Sequence, residues 1–124
     1  MRCSRGQASF ELVLIATVII VLTSVVLANF IPLKNDTMGV AAAKEASVAV
    51  LSGKEKPYLV QRIDFSRSAT SPNYNFRIFT YPIDGLLAIS DSETAQICAS
   101  ISNATGWGVA EIGMAFNNDA AGNC

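Results

Sequence analysis

The chain has 124 residues, of which 51% are hydrophobic and 15% are charged. Since soluble domains usually carry roughly 25% charged residues, this composition favours a membrane or assembly protein over a free cytosolic one. A net charge of −1 and the absence of histidine argue against nucleic-acid binding and against an enzyme, so no cofactor or metal is expected.

The amino-terminal end has the features of a membrane anchor. Arg2 and Arg5 stand among six residues without an acidic side chain, and no charged residue occurs from Leu12 through Leu33, about 22 positions. A helix of that length crosses a bilayer once. Because Lys34 and Asp36 nearly cancel, the positive-inside rule places the amino terminus in the cytoplasm and the rest of the chain outside.

A carboxylate, Glu11, begins the apolar run, where an unpaired charge is costly. Cleavage between Gly6 and Gln7 would free an α-ammonium about one helical turn before Glu11, as a partner in the same or a neighbouring subunit. The cut would also remove both arginines. The alternatives are a plain signal anchor and a conventional signal peptide cleaved after Ala28.

The run from Arg5 to Glu11, with Gly6-Gln7, Ser9 and Glu11 at their spacing and a long apolar helix behind, resembles the class III signal peptide of archaeal type IV pilin-like proteins. The resemblance covers about the first 30 residues. It implies that a prepilin peptidase cuts before Gln7 on the cytoplasmic side and that the hydrophobic segment is retained. It also implies that Ser9 is the family's small polar position and that Glu11 pairs with an amino-terminal amine during assembly.

The resemblance further implies a set of partners. The subunit would reside in the membrane before assembly, meet a pilus assembly platform and its ATPase, and join sister copies in a helical surface filament whose heads are exposed for adhesion. Two alternatives stay open: a membrane-anchored or secreted binding module that does not polymerise, and a minor or priming pilin.

Small side chains recur along one face of the apolar helix. Ala16, Ser24 and Ala28 are spaced by multiples of four, and the small-xxx-small pattern of the last two lets helices approach closely. This favours a helix bundle, although small residues also recur by chance in an alanine-rich apolar segment.

The connector contains signals for a helix break. Pro32 should kink or end the first helix, and residues 35–39 resemble a turn. The alanine-rich run from Val40 to Leu51 predicts a second helical segment that ends at Ser52-Gly53. The alternative is that this segment runs on from the first helix with a bend, as one long stalk. The predicted organisation is therefore a leader (1–6), a transmembrane or filament-core helix (7–33), a helical connector (34–56) and a β-rich head (57–124).

The head alternates with the period of β-strands. Strands are predicted over 58–65, with Leu59 on the apolar face, and over 73–81, with a shorter candidate at 85–90. Residues 95–102 and 110–116 alternate again around a turn at 103–106, which predicts a hairpin. Ser90 and Glu93 also form a capping box, so the first of these strands could instead be a helix.

These elements predict an α+β fold: a long hydrophobic helix with a small antiparallel sheet packed on its C-terminal part. Cys98 and Cys124 remain once Cys3 leaves with the leader, and an exported pair favours a disulfide, with free thiols or an intermolecular bridge as alternatives. N-glycosylation sequons occur at Asn35 and at Asn103, the latter at the predicted hairpin tip. Trp107 is expected to cover the core rather than form an exposed adhesive site.

Overall fold

The computed structural model describes residues 4–124, with side chains from residue 6 onward. Part of the predicted leader, including Arg2 and Cys3, lies outside the described residues. Helix α1 runs from Ser4 to Ser52. The chain divides into two compact units, with the boundary between Lys34 and Asn35 inside this helix. The C-terminal unit, Asn35–Cys124, contains all the other elements.

Helix α1 continues through residues 35–39, so the predicted break there is wrong, whereas the alternative of a helix that runs on from the first segment is confirmed, as is its end at Ser52. Pro32 lies inside the helix, where it removes one backbone donor while the hydrogen bonds on either side persist. Gly39 is buried, and a Cβ at this position would lie 2.9 Å from the Trp107 ring. The glycine is therefore explained by close packing and not by a turn.

The C-terminal unit holds a four-stranded sheet in the order β1-β2-β3-β4. The strands are Leu59–Arg67, Tyr74–Tyr81, Ile112–Phe116 and Gly122–Asn123. β1 and β2 are antiparallel, as predicted; β3 and β4 are also antiparallel, a pair that the sequence did not predict, whereas β2 and β3 are parallel. The α+β fold is confirmed, but the sheet is mixed, because a helix occupies the connection between β2 and β3 and parallel strands need such a crossover.

That connection is helix α2, Asp91–Thr105, so the hairpin predicted over residues 95–116 is wrong and the helix given as the alternative to its first strand is confirmed. The capping box decides the structure: Ser90 Oγ accepts from the Glu93 amide at 3.3 Å, and Glu93 Oε2 accepts from the Ser90 amide at 2.8 Å. Gly106 ends the helix in the left-handed conformation, with φ 78°. The candidate strand at 85–90 has no strand structure either.

β1 contains a bulge between Val60 and Arg62, which changes which side chains face the core. Val60, Ile63 and Phe65 are half-buried and pack against the core. Leu59, predicted on that face, is 68% exposed, because the extra residue reverses the alternation before it.

The core lies between the sheet and the two helices. Helix α1 supplies Ala43, Ala46 and Val50, so the predicted packing of strand faces on its alanine-rich surface is confirmed. The other buried members come from α2, the sheet and the segment after α2: Phe76, Ile78, Ile97, Cys98, Ile101, Trp107, Ile112, Met114 and Phe116.

Candidate assembly surface

The apolar segment, residues 12–33 of α1, exposes large apolar side chains on every side. Between Phe10 and Leu33 the exposed fractions of these residues range from 48% at Val18 to 69% at Phe10 and Leu12. Among the described residues this is the one helix long and apolar enough to cross a membrane, and its most apolar stretch is unburied. Since water solvates such a surface poorly, the segment needs lipid or other apolar helices around it.

The polar side chains inside the apolar segment bond to their own helix. Thr17, Thr23 and Ser24 each donate a hydroxyl to the carbonyl four residues earlier at 2.8 Å, and Asn29 Nδ2 does so at 2.9 Å. In an apolar environment these bonds replace those that water would supply. The segment is therefore compatible with lipid or a helix bundle despite its polar residues.

The predicted cleavage and assembly residues lie in the first turns of α1. Gln7, Ser9 and Glu11 are all exposed, and the Gly6–Gln7 bond lies within the helix. Gln7 and Glu11 are four residues apart and so lie on the same side. Within residues 6–124 no cation is within ion-pair distance of Glu11. The described part of the chain gives this carboxylate no counter-charge.

The three small residues of the predicted packing face, Ala16, Ser24 and Ala28, are exposed. Ser24 turns its hydroxyl toward the Ile20 carbonyl, so it presents a compact surface comparable to alanine. A neighbouring helix can approach the backbone closely along such a face.

Two contacts that the sequence did not predict fasten α1 within the C-terminal unit. Asp36 accepts from Arg67 Nε at 3.2 Å and also from Arg67 Nη2, and this hydrogen-bonded pair raises the pKa of the guanidinium. Three residues later, Gly39 lies against Trp107, whose ring stacks on Tyr74 with centroids 3.9 Å apart. Opposite charges at 36 and 67 were visible in the sequence, but their pairing depends on the placement of β1.

A second cluster holds the loop after β2. Asp84 accepts from Lys56 Nζ at 2.7 Å, from Tyr58 Oη at 3.2 Å and from the Leu86 amide at 3.1 Å. The bond from Lys56 lowers the pKa of Asp84 and raises that of the lysine. Burial is the main cause that raises the pKa of Tyr58, and the hydrogen bond to Asp84 raises it further. The Asp84 carboxylate therefore stabilises the loop after β2 through these three hydrogen bonds.

Two further carboxylates of the C-terminal unit also have local partners. Asp64 lies 3.4 Å from the Arg62 guanidinium, and Glu111 accepts from the Gly108 amide at 3.2 Å. No group of three or more potential metal ligands occurs among the described residues.

The predicted disulfide between Cys98 and Cys124 is present, with Cα atoms 6.1 Å apart. Cys98 is fully buried on α2, and the Cys124 amide donates to the Ile112 carbonyl at 3.0 Å. The bond fastens the last strand to both α2 and β3. Of the two sequon asparagines, Asn35 is half-buried inside α1, and Asn103 is exposed in the last turn of α2, not at a hairpin tip.

Comparisons with protein-family models, with curated proteins and with solved structures found no match for this chain.

Proposed function

We propose that the chain is the precursor of a structural subunit of an archaeal type IV pilus-like filament. A prepilin peptidase removes residues 1–6, and α1 anchors the product in the membrane until an assembly platform and its ATPase add it to a filament. The observation that carries this proposal is an apolar segment exposed on every side that directly follows a carboxylate without a counter-charge in the described structure.

The exposed apolar segment supports a role in which its surroundings change. Lipid covers it before assembly, and the helices of sister subunits cover it afterwards, so apolar contact is kept throughout. The internal bonds of Thr17, Thr23, Ser24 and Asn29 suit both environments, because none depends on water.

Glu11 supports the proposed cleavage before Gln7. A free amine at Gln7 would bring a positive charge to the same side of the helix, one turn away, and the same pairing could form between adjacent subunits. In a water-poor bundle an unpaired carboxylate is strongly disfavoured, so the pair would select subunits that have been processed and correctly placed.

The C-terminal unit supports export. Its core and its disulfide lie within a single chain, and disulfides persist in oxidising compartments outside the cytoplasm. A unit of this kind suits display for surface adhesion. It would equally suit a membrane-anchored binding module that never polymerises, and the experiment below separates the two.

The test is to shear cells and to determine the mature amino terminus by mass spectrometry in both the sheared and the membrane fractions. We expect a start at Gln7 and helical filaments in the sheared fraction. An intact Met1, or a start at Asn29, would contradict the proposal. A Gln7 start with the protein confined to the membrane would instead favour the binding module or a minor subunit.

A Gly6→Val variant provides the control for processing. No atom lies within 4 Å of a Cβ built at Gly6, so the substitution changes the cleavage site without disturbing the described fold. We expect this variant to keep its leader and to remain in the membrane fraction with its disulfide formed.

A further inference from the structure

A groove of about 530 Å³ lies within the C-terminal unit between α1 and α2. Three alanines and Glu45 line the α1 side, and Gln96, Ser100 and Asn103 line the α2 side. Such a mixture of methyl groups and polar side chains suits a ligand that combines hydroxyl groups with apolar ring faces, as a sugar does.

Asn103 is the residue of this groove that can carry such a group covalently. It is exposed, and its side-chain amide has no hydrogen bond to the described residues. It begins an Asn-x-Thr sequon whose third residue, Thr105, is the last residue of α2. Helix ends fray, so this sequon can leave the helical conformation at little cost.

The sequon at Asn35 is placed differently. It lies in the interior of α1, with helix on both sides, and Asn35 itself is half-buried. Its middle residue, Asp36, is paired with Arg67. Presenting it to a transferase would require unwinding the helix and breaking this pair, whereas modified sequons lie in accessible surface segments.

We propose that Asn103, and not Asn35, carries an N-linked glycan whose first sugars occupy the groove between α1 and α2. The donor is an oligosaccharide linked through phosphate to an isoprenoid lipid, and a separate membrane transferase is the catalyst. The Asn103 Nδ2 bonds to the anomeric carbon, the bond from that carbon to the phosphate oxygen breaks, the amide nitrogen loses one proton to a base, and the lipid phosphate leaves.

The fold also sets the order of events. In the folded protein the Thr105 hydroxyl donates to the Ile101 carbonyl at 2.7 Å and accepts from the Trp107 amide at 3.2 Å. The transferase therefore acts while the last turn of α2 is open, and closure then holds the modified sequon beside the groove.

This inference goes beyond the filament proposal and requires only that the C-terminal unit is exported. The test is glycopeptide mapping of the mature, disulfide-bonded protein from its native cells. We expect a glycan at Asn103 and none at Asn35, loss of the glycan in Asn103→Gln, and retention of it in Asn35→Gln and in Thr105→Ser. An unmodified Asn103 in the oxidised protein, or a glycan at Asn35, would overturn the assignment whether or not filaments form.

Occupation of the groove has its own test. Ala49 is exposed and lines the groove, whereas Ala41 is exposed on α1 outside it. In the mature protein, where Cys98 and Cys124 are paired, we expect maleimide to label Ala49→Cys about tenfold more slowly than Ala41→Cys, which corresponds to a groove open for about a tenth of the time. Adding Asn103→Gln should abolish the difference. Equal labelling rates in the glycosylated protein would show that the glycan points elsewhere.

Discussion

The apolar segment and the C-terminal unit use the same kinds of residues in opposite ways. Ile20 in the segment is 65% exposed, whereas Ile78, Ile97, Ile101 and Ile112 in the unit are 0% exposed. The unit completes its core within one chain. The segment leaves its apolar surface for other molecules to cover, so its stable environment has to come from lipid or from other helices.

Polar groups show the same contrast. In the segment they bond to the carbonyl four residues earlier in the same helix. In the unit they join elements far apart in sequence, as when Lys54 Nζ meets Glu93 Oε2 at 2.8 Å. Substitutions in the unit should therefore change folding stability, and substitutions in the segment should change assembly while the unit stays folded.

The largest effect is expected from Glu11→Ala. The variant should insert and be cleaved, but it would leave the amine of Gln7 without a partner inside the filament, at a cost of about 3–5 kcal/mol per subunit. Filament yield after shearing should fall below detection. Unfolding of the C-terminal unit, followed in detergent by Trp107 fluorescence, should be unchanged.

Glu55→Ala is the matched control, because Glu55 is an exposed carboxylate in the unit and has no ion-pair partner among the described residues. It should assemble normally. A normal filament yield from Glu11→Ala as well would remove Glu11 from the mechanism.

Removing the disulfide should have the next largest effect, and on stability alone. The bond spans a sequence separation of 26 residues, for which loop-closure entropy predicts a loss of about 3.5 kcal/mol. Denaturant unfolding of the Cys98→Ala, Cys124→Ala double variant should show this loss, and reductant should produce a similar shift in the unaltered protein. A loss below about 1 kcal/mol would mean that the unfolded chain gains little freedom when the bond is absent.

Much of the unit could be predicted because local pattern and tertiary structure agree there. The alternation along β2 follows burial, and the disulfide was predicted from the expected export of the unit. Helix α2 was predicted only as the alternative to a strand, because Ile97 and Ile101 are separated by four residues, a spacing that fits both a helix and a strand. The capping box was the better guide, since it specifies backbone hydrogen bonds and not merely a spacing.

The apolar segment was predictable for a different reason. A charge at the start of an apolar run is costly in any fold, so Glu11 stood out without tertiary information, and its role in assembly stays a prediction. The contact between Asp36 and Arg67 could not be predicted from the sequence, because the two residues meet only once β1 lies beside α1. Gly39 was misinterpreted because local propensity describes a glycine as a helix breaker, whereas here it makes room for Trp107.

Gly39→Ala distinguishes helix propensity from packing against Trp107 as the reason for the glycine, because the two predict changes in stability of opposite sign. If only helix propensity mattered, alanine would stabilise α1 by about 1 kcal/mol. Because its Cβ would lie 2.9 Å from Trp107 Cζ3 and 3.2 Å from Thr105 Cγ2, we expect overpacking to outweigh this gain and to leave the unit about 1–2 kcal/mol less stable. The measurement is denaturant unfolding in detergent.

Ala41→Gly supplies the control for propensity at an exposed position two residues further along the same helix. It should cost about 1 kcal/mol. If Gly39→Ala and Ala41→Gly shift stability in opposite directions, packing against Trp107 is not what requires the glycine.

The smallest effect is expected from acid. Hydrogen bonds from Lys54 and from the Ser90 amide lower the pKa of Glu93, so protons bind this carboxylate more weakly in the folded state than in the unfolded state. Its contribution to folding stability is fully present above the unfolded pKa of about 4 and is lost as pH falls through the lower folded value.

Glu93→Gln keeps an oxygen that can accept from the Ser90 amide but removes the charge. Its stability should therefore fall less steeply with acid than that of the unaltered protein. Thermal unfolding followed from pH 6 to pH 3 tests this, and equal slopes for Glu93→Gln and the unaltered protein would show that the Lys54 pair adds nothing to folding.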